Sequence, residues 1–177
     1  MSPGKTVAAL ALALWLARIG PAAMAEPAPP QVAPQIELVD FGVYCQMDTV
    51  EREPAPETSL GYINVLSGTP EFQFRQLQVP ALLGVSFGVQ IRPDIDYPQA
   101  RMMTWKPGQT TPEVWYTDLH AGALKTRGFT FEFEDEVQPG LWTMEAWAVD
   151  DLLYRVEFEV LPPSELPGIG SDCNLLS

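Results

Sequence analysis

Apolar and polar residues alternate most regularly in the segment between Pro139 and Pro163. A repeat of two positions is typical of a half-buried β-strand, whereas an amphipathic helix repeats about every 3.6 residues. Prolines flank the segment, and they are expected to end strand pairing because proline cannot donate a hydrogen bond to a β-ladder. The segment therefore predicts a long β-hairpin with a core-facing series of Trp142, Met144, Ala146, Ala148, Leu152, Tyr154, Val156, Phe158 and Val160.

Charge pairing predicts the register of this hairpin. If both even-numbered faces point to the core, a register that places Trp142 opposite Phe158 also places Glu145 opposite Arg155. Opposite charges that face each other across two strands stabilise a sheet by roughly 0.2–1 kcal/mol. A register shifted by two would instead place Glu145 opposite Glu157, which is unfavourable. The first register is therefore the predicted one.

The same register predicts the loop and the outer face of the hairpin. The loop would span residues 149–151, with an aspartate at the positive-φ position that glycine usually takes. Trp147 would lie on the outer face against Leu153. Trp147 is a candidate binding residue because aromatic side chains are enriched at protein interfaces. A second sheet, the tail or a partner could equally cover it.

Short apolar or alternating runs recur along the rest of the chain, separated by turns that contain glycine and proline. The apolar run at 79–91 is the candidate for a central strand, while 51–57 and 118–127 are predicted loops. No sustained helical stripe occurs in any window. The sequence therefore predicts an all-β, antiparallel, immunoglobulin-like β-sandwich of about seven to eight strands. The further predicted strands lie at 36–46, 61–66, 72–77, 102–105, 113–116 and 128–134.

The chain begins like a secretory precursor. Lys5 precedes an apolar run of about a dozen residues, and Ala23-Met24-Ala25 has the small-x-small pattern of a cleavage site. This run is shorter than the roughly 20 apolar residues that cross a bilayer, so no membrane span is predicted. The predicted protein is secreted and periplasmic. Its parts are a signal peptide at 1–25, a proline-rich flexible arm at 26–35, a sandwich domain at 36–161 and a C-terminal tail at 162–177.

Acidic residues dominate the charge of the chain, with 23 Asp and Glu against 10 Lys and Arg and a formal net charge of −13. Removal of the signal peptide would delete Lys5 and Arg18 and bring the net charge to about −15. Nucleic acids and anionic lipids are bound through basic patches. The composition therefore argues against both as partners.

The sequence contains two cysteines, Cys45 and Cys173. In an oxidising compartment, an even pair without the spacing of metal ligands predicts a disulfide. Such a bond would tie the C-terminal tail back to the first strand of the sandwich. Two free thiols, or one bridge between two molecules, are the alternatives.

One motif points to hydrolysis. Residues 84–88 match the G-x-S-x-G nucleophile elbow around Ser86, and Asp118 and His120 follow in the order of a hydrolase triad. The elbow requires a strand that runs directly into a helix, yet Ser86 lies in a run that predicts continuous strand. We therefore expect Ser86 to be structural, and His120, the only histidine, to lie in a solvated loop.

Several carboxylate clusters were considered as metal or catalytic sites. No calcium-binding loop motif, zinc-ligand spacing or phosphate-binding glycine loop accompanies them, so no metal and no cofactor are predicted. A pair of catalytic carboxylates would need a separation of about 5–10 Å in a cleft, which a sequence does not reveal. The clusters are Asp94 with Asp96, Glu132 with Glu134, Asp135 and Glu136, and Asp150 with Asp151.

Five short segments occur in an order that resembles a bacterial family. They are FGVYC at 41–45, VPA at 79–81, GVSFGV at 84–89, EVQPGLW at 136–142 and FEV at 158–160. The ordered set resembles domain-of-unknown-function family 3859. The resemblance implies a small exported β-sandwich domain of the envelope, and it supplies no catalytic or binding residues.

The sequence therefore predicts an exported, non-catalytic β-sandwich that binds a protein or glycan, or assembles, in the bacterial envelope. A small secreted hydrolase that uses Ser86 or a carboxylate pair is one alternative, and an oligomeric structural component is another. An open cleft at Ser86 would favour the hydrolase. A flat apolar patch around Trp147, or an unprotected edge strand, would favour binding or assembly.

Overall fold

The structure, a computed structural model, describes residues 26–173. The predicted signal peptide and residues 174–177 lie outside this range. A short helix, α1 (Pro167–Asp172), and two single 3₁₀ turns at Glu134–Glu136 and Pro163–Glu165 accompany the strands. The strands are β1 (Gln31–Val32), β2 (Ile36–Cys45), β3 (Thr49–Pro54), β4 (Tyr62–Leu66), β5 (Gln78–Pro80), β6 (Val85–Pro93), β7 (Tyr97–Trp105), β8 (Glu113–Leu119), β9 (Lys125–Thr130), β10 (Gly140–Ala148) and β11 (Asp151–Leu161).

The strands form two packed sheets and a separate hairpin. The large sheet has the order β1-β11-β10-β7-β8, and the short strand β5 joins it by a parallel pairing with β11. The small sheet has the order β2-β6-β9, and β3 and β4 form the side hairpin. This arrangement confirms the predicted all-β, immunoglobulin-like sandwich. There are more strands than the sequence indicated because β1 and β5 have only two and three residues and β3 replaces a predicted loop.

An aromatic cluster joins the two sheets. Phe87, Phe129 and Phe131 from the side of the small sheet meet Trp142 and Phe158 of the large sheet, with ring centroids 4.9 to 6.0 Å apart. Aromatic pairs at such separations contribute about 0.5–1.5 kcal/mol each beyond their burial. The cluster is therefore a main source of cohesion between the sheets.

The predicted hairpin is present as β10 and β11, and its register is the predicted one. Trp142 pairs with Phe158, and Glu145 pairs with Arg155. The Nε–H of Arg155 donates to Oε1 of Glu145 over 2.7 Å. Trp142 itself is fully buried, as expected for the core-facing series.

The tip of the hairpin differs from the prediction. A β-bulge shifts the register so that Trp147 pairs with Leu152 and not with Leu153, which becomes the extra residue and is 2% exposed. The bulge shortens the loop to residues 149–150, and the positive φ, 54°, falls on Val149. The predicted neighbour of Trp147, and the predicted aspartate at positive φ, were therefore wrong.

The apolar run at 79–91 forms two strands where one was predicted. Pro80 has no N–H to donate, and Gly84 has a φ of 78°, so the chain turns between these two residues. The turn sends β5 to the large sheet and β6 to the small sheet. Strand β6 is buried along almost its whole length and lies between β2 and β9, which confirms the central position predicted for this run.

Three other segments also differ from the prediction. Strand β3 replaces the predicted loop at 51–57; all six of its residues are exposed, so it carries no apolar signal. The predicted strand at 72–77 makes a single bridge, between Phe74 and Val43. Strand β9 begins inside the predicted loop at 118–127. It ends at Thr130, before the 3₁₀ turn that follows Phe133, whereas the predicted strand continued to residue 134.

The proline-rich segment was predicted to be a flexible arm, but part of it is attached to the large sheet. Strand β1 pairs with Tyr154 and Arg155 at the edge of β11. The N–H of Ala28 also donates to Oε2 of Glu157 over 2.9 Å. Proline-rich chain is tolerated there because an edge strand needs hydrogen bonds on one side only.

Cys45 and Cys173 form the predicted disulfide, with their Cα atoms 5.4 Å apart. The bond joins the end of β2 to the residue after α1, so the tail is tied back to the sandwich as expected. It links positions 128 residues apart in the sequence. In the chain-entropy model, closing so long a loop stabilises the fold by roughly 4–5 kcal/mol.

Candidate functional site

The outer side of the large sheet carries Trp147 on a shallow surface that we call the tryptophan face. Alternate residues of neighbouring strands point to the same side of a sheet, which brings side chains of β7, β10 and β11 together. A second tryptophan, Trp105, lies on the same surface as Trp147. The tryptophan face comprises Arg101, Met103, Trp105, Thr143, Glu145, Trp147, Arg155 and Glu157.

Glu145 holds the tryptophan face together, and its side chain is only 5% exposed. One carboxylate oxygen accepts from Nε of Arg155 at 2.7 Å, and the other accepts from Nε1 of Trp147 at 2.8 Å. The indole N–H is the only polar group of a tryptophan side chain, so Trp147 has its hydrogen bond satisfied within the protein. Its half-buried ring is therefore held in place and presents apolar surface.

A groove of about 300 Å³ lies between the side hairpin and the small sheet. We call it the β4–β9 groove, because all five residues of β4 and all six residues of β9 line it. Its walls are completed by Tyr44 of β2, Leu60, Gly68, Trp115 of β8, and the carboxylates of Glu53, Glu132 and Glu136. The groove thus follows two strand edges over their whole length.

Arg127 is a buried cation in the wall of the β4–β9 groove, with 7% of its surface exposed. Its guanidinium contacts Oγ1 of Thr104 and lies 5.0 Å from the ring centre of Trp115. Burial lowers the pKa of Arg127, and the nearby Tyr154 and Glu113 offset this only in part. Within residues 26–173, no carboxylate forms an ion pair with Arg127, and its Nε has no hydrogen-bond partner.

Glu113, the acid whose charge acts on Arg127, is already engaged by another cation. Nζ of Lys106 lies 2.6 Å from Oε1 of Glu113, and both side chains are largely buried. Burial alone would raise the pKa of Glu113, but hydrogen bonds from Lys106 and Ser59 outweigh it, so the pKa is lowered. Glu113 therefore stays ionised beside Lys106, while the charge of Arg127 is left without a partner of its own.

The structure does not bring together the three residues of the hydrolase motif. Ser86 is fully buried, and its Oγ is 2.8 Å from Oγ1 of Thr130. Asp118 accepts the N–H of Gln99 at 2.9 Å. His120 has a 72% exposed side chain, and its nearest acid is the exposed Asp96 at 3.9 Å. Ser86 also lacks the exposure that a nucleophile elbow provides.

The carboxylate clusters serve local structure where they make hydrogen bonds. Asp96 accepts the N–H of Ala121 at 2.7 Å, and Glu136 accepts the N–H groups of Glu132 and Phe133. Burial raises the pKa of Glu136, which these hydrogen bonds do not fully offset. In the described part of the chain, no group of three or more His, Cys, Asp or Glu residues is arranged to hold a metal ion. Over the same residues, no helix has the length and apolar character needed to cross a bilayer.

Sequence reasoning missed the β4–β9 groove, although one signal for it was present. Within the predicted strand at 128–134, Phe129 and Phe131 alternate with polar residues. Continuing that alternation backwards by two positions places Arg127 on the same face, where an arginine is out of place. The assignment of Arg127 to a loop hid this signal.

The chain was compared with known proteins. No protein-family model matches it, so its resemblance to family 3859 stays a prediction, and no curated protein matches it either. An immunoglobulin-like protein from Pseudomonas aeruginosa is 20% identical over 76% of this chain and 98% of its own, with a TM-score of 0.46. A β-glucosidase from Listeria innocua, solved in complex with glucose, is 17% identical over 67% of this chain, with a TM-score of 0.28. This chain spans only 22% of the length of that glucosidase. Neither structure assigns an activity to this chain.

Proposed function

We propose that this chain is an exported, non-catalytic binding module of the bacterial envelope that contacts a protein partner through the tryptophan face. The observation that carries the proposal is the pair of hydrogen bonds that Glu145 accepts from Trp147 and Arg155. They hold both side chains in place in the free protein. Side chains that are ordered before binding lose less conformational entropy when a partner arrives, which favours affinity.

The composition of the tryptophan face supports a protein as the partner. Tryptophan, methionine and arginine are enriched at protein–protein interfaces, and tryptophan and arginine dominate their binding energy. The face combines Trp105, Trp147 and Met103 with Arg101 and Arg155. Lysine, which interfaces disfavour, does not line it.

The disulfide supports the proposed compartment. Disulfides persist in secreted and periplasmic proteins and are rare in the cytosol, where thiols are kept reduced. The small-x-small pattern before Glu26 adds an export signal to this argument. Intact-mass analysis of exported protein should give a chain that begins at Glu26, and a mass that retains residues 1–25 would contradict export by cleavage.

The non-catalytic part of the proposal rests on the surroundings of the candidate catalytic groups. Ser86 is buried and hydrogen-bonded to Thr130, and His120 lies exposed in a turn beside Asp96. General base catalysis needs a base within hydrogen-bond reach of the group that it activates. The hydroxyl of Ser86 contacts Thr130 and the ring of His120 contacts Asp96, so His120 does not act as a base for Ser86.

A photo-crosslinking experiment tests the proposed face. A photoreactive amino acid replaces Thr143, which lines the face, and the mature protein is irradiated in an envelope extract of its source. We expect one protein to be captured, with capture falling at least about tenfold in Trp147→Ala. Phe133→Ala, which removes an exposed aromatic ring elsewhere, is the matched control and should leave capture unchanged.

Two outcomes would contradict this proposal. Equal capture by the wild type and Trp147→Ala would show that the tryptophan face is not the contact surface. Binding of the protein to a glycan array that is lost in Trp147→Ala, without any captured protein, would replace the protein partner by a carbohydrate.

A further inference from the structure

A second surface, separate from the tryptophan face, has the geometry of a missing strand. We infer that the β4–β9 groove receives an extended peptide segment of a partner protein, which pairs with the edges of β4 and β9 and places a carboxylate side chain beside Arg127. Such strand addition is an established mode of peptide recognition, in which main-chain hydrogen bonds give affinity and alternate side chains give specificity.

The pairing of the strands leaves both edges of the groove available. Among the described residues, β9 pairs with β6 alone and β4 pairs with β3 alone. An unpaired edge exposes a row of N–H and C=O groups that can template another strand. Here the two open edges lie along the two sides of one groove, rather than at opposite ends of the molecule.

The spacing of β4 and β9 leaves room for a strand between them. Paired neighbouring strands lie about 4.7–4.9 Å apart, so two strands with one missing between them lie at roughly twice that distance. The Cα atoms of β4 and β9 are almost everywhere more than 8 Å apart, although the two strands line the same groove. The side chain of Asn64, in the middle of β4, meets that of Glu132, just beyond the end of β9, at 2.7 Å, which keeps the side hairpin next to the small sheet.

The charge in the groove wall selects the chemistry of the occupant. Arg127 is buried and has no carboxylate partner, and its Nε and the Nε1 of the adjoining Trp115 lack hydrogen-bond acceptors. A buried cation is stable only when it is paired, so the free protein carries a charge that a ligand carboxylate would neutralise. Two of the three acids in the wall are already used, Glu132 by Asn64 and Glu136 by two backbone N–H groups, while the third, Glu53, lies in the exposed strand β3.

The remaining wall residues favour a peptide with an apolar side. Leu60, Ile63, Val65 and Phe129 all line the groove. A strand that carries an aspartate or glutamate at one position and apolar residues at alternate positions would match both the charge and the apolar surface. The proposed occupant is therefore an extended, partly apolar peptide with one acidic residue, not a generally acidic one.

A library of random eight-residue linear peptides, displayed on phage and selected on the oxidised mature protein, provides the probe. We expect selected peptides to share an aspartate or glutamate, and Arg127→Met should weaken their binding at least about tenfold, as expected for loss of a charge-assisted hydrogen bond. Arg92→Met is the matched control because it removes a positive charge from β6 of the same sheet without touching the groove. It should change the affinity less than about twofold.

Main-chain pairing has its own signature. Alternate amides of a strand inserted between β4 and β9 face the two edges in turn, so N-methylation of either alternate set of peptide amides should weaken binding strongly. Bound peptide should also slow hydrogen exchange of backbone amides in both β4 and β9. If Arg127→Met fails to fold, the change of the peptide acid to its amide on wild-type protein tests the same contact.

Each contrary result overturns the inference. Selection that yields no binder, or binders that tolerate Arg127→Met and the acid-to-amide change, would remove the charge argument. Binding that is insensitive to N-methylation would show that the groove holds a ligand without strand pairing. A concentration-dependent dimer that protects β4 and β9 without peptide would assign the groove to a second copy of the chain.

Discussion

The aromatic cluster and the wall of the β4–β9 groove are both buried, but their polar atoms are satisfied to different degrees. In the cluster, the one polar atom, Nε1 of Trp142, donates to the carbonyl of Gln138 at 2.9 Å. In the groove wall, Nε of Arg127 and Nε1 of Trp115 have no partner. An unsatisfied buried polar group costs about 1–3 kcal/mol. The cluster is therefore built for stability, whereas the groove wall retains hydrogen-bonding capacity for a ligand.

The largest effect is expected where the aromatic cluster is broken. Trp142→Ala should lower the free energy of unfolding by about 3–5 kcal/mol, because a core tryptophan is replaced by a cavity. Trp147→Ala, five positions further along the same strand and on the opposite side of the sheet, should cost clearly less, since its ring is only half-buried. Urea unfolding of both variants measures this. A larger loss for Trp147→Ala would place the stabilising contacts on the tryptophan face instead.

The next largest effect concerns the disulfide, whose Cys45 pairs with Val85, the first residue of β6 and two positions before Phe87 of the aromatic cluster. Replacing both cysteines by serine should destabilise the fold by about 2–4 kcal/mol, less than the chain-entropy figure because a reduced unfolded chain retains some structure, and should lower the melting temperature by several degrees. Differential scanning calorimetry of the oxidised wild type and the double variant tests this. If the disulfide supports the aromatic cluster and not the groove, the double variant should still bind peptide at a temperature where it is folded. A loss of peptide affinity in the folded double variant would contradict this.

The ion pair between Lys106 and Glu113 should contribute less to stability than the aromatic cluster or the disulfide. The pKa of Glu113 is lowered in the folded state, so its ionised form contributes stability above the ordinary glutamate value of 4.5, and that contribution is lost as the pH falls through the folded-state pKa. Glu136 acts in the opposite sense because its pKa is raised. Glu113→Gln should therefore flatten the acid side of the stability profile, measured by urea unfolding between pH 7 and about pH 3. An unchanged acid limb would show that the pair with Lys106 does not contribute.

The smallest effect is expected at the tip of the hairpin, away from both regions. Val149 has a φ of 54° and is 86% exposed, and a β-branched residue is poorly suited to the left-handed region. Val149→Asn should raise the free energy of unfolding by up to about 1 kcal/mol, since asparagine tolerates that conformation. Thermal unfolding of this variant provides the measurement. Val149→Ala is the control, because it removes the branched side chain without supplying the polar group of asparagine. Destabilisation by asparagine would show that the valine side chain makes a contact at the tip.

The closing hairpin could be predicted because its two signals are local and independent. The alternation from Trp142 onwards gave the faces, and the pair of Glu145 with Arg155 gave the register that the structure has. The bulge at Leu153 could not be found in the same way, since it depends on how the loop closes and leaves the apolar pattern almost unchanged. The disulfide could be predicted because the chain offers only one pairing within a molecule.

The candidate sites were harder to predict, for physical reasons that can be named. Strand β3 is exposed throughout, so no hydrophobic pattern marked the side hairpin that forms one wall of the groove. Arg127 could have been noticed by its spacing from Phe129, but a groove depends on which strands are not paired. That property belongs to the fold as a whole. Trp147 was found because its face follows from alternation alone, while Trp105, which lies 42 positions earlier, joins it only through the β7–β10 pairing.

The bond between Cys45 and Cys173 also determines when oxidation can take place during synthesis of the protein. Cys45 is synthesised early, and its only intramolecular partner follows 128 residues later. The bond can therefore form only after almost the whole sandwich has been synthesised. With two cysteines in the chain, no incorrect pairing within one molecule exists, and an oxidase suffices without an isomerase. The error that remains possible is a bridge between two incomplete chains. Under the export proposed above, oxidation at high concentration should therefore be limited by bridges between molecules, and not by reshuffling of bonds within one.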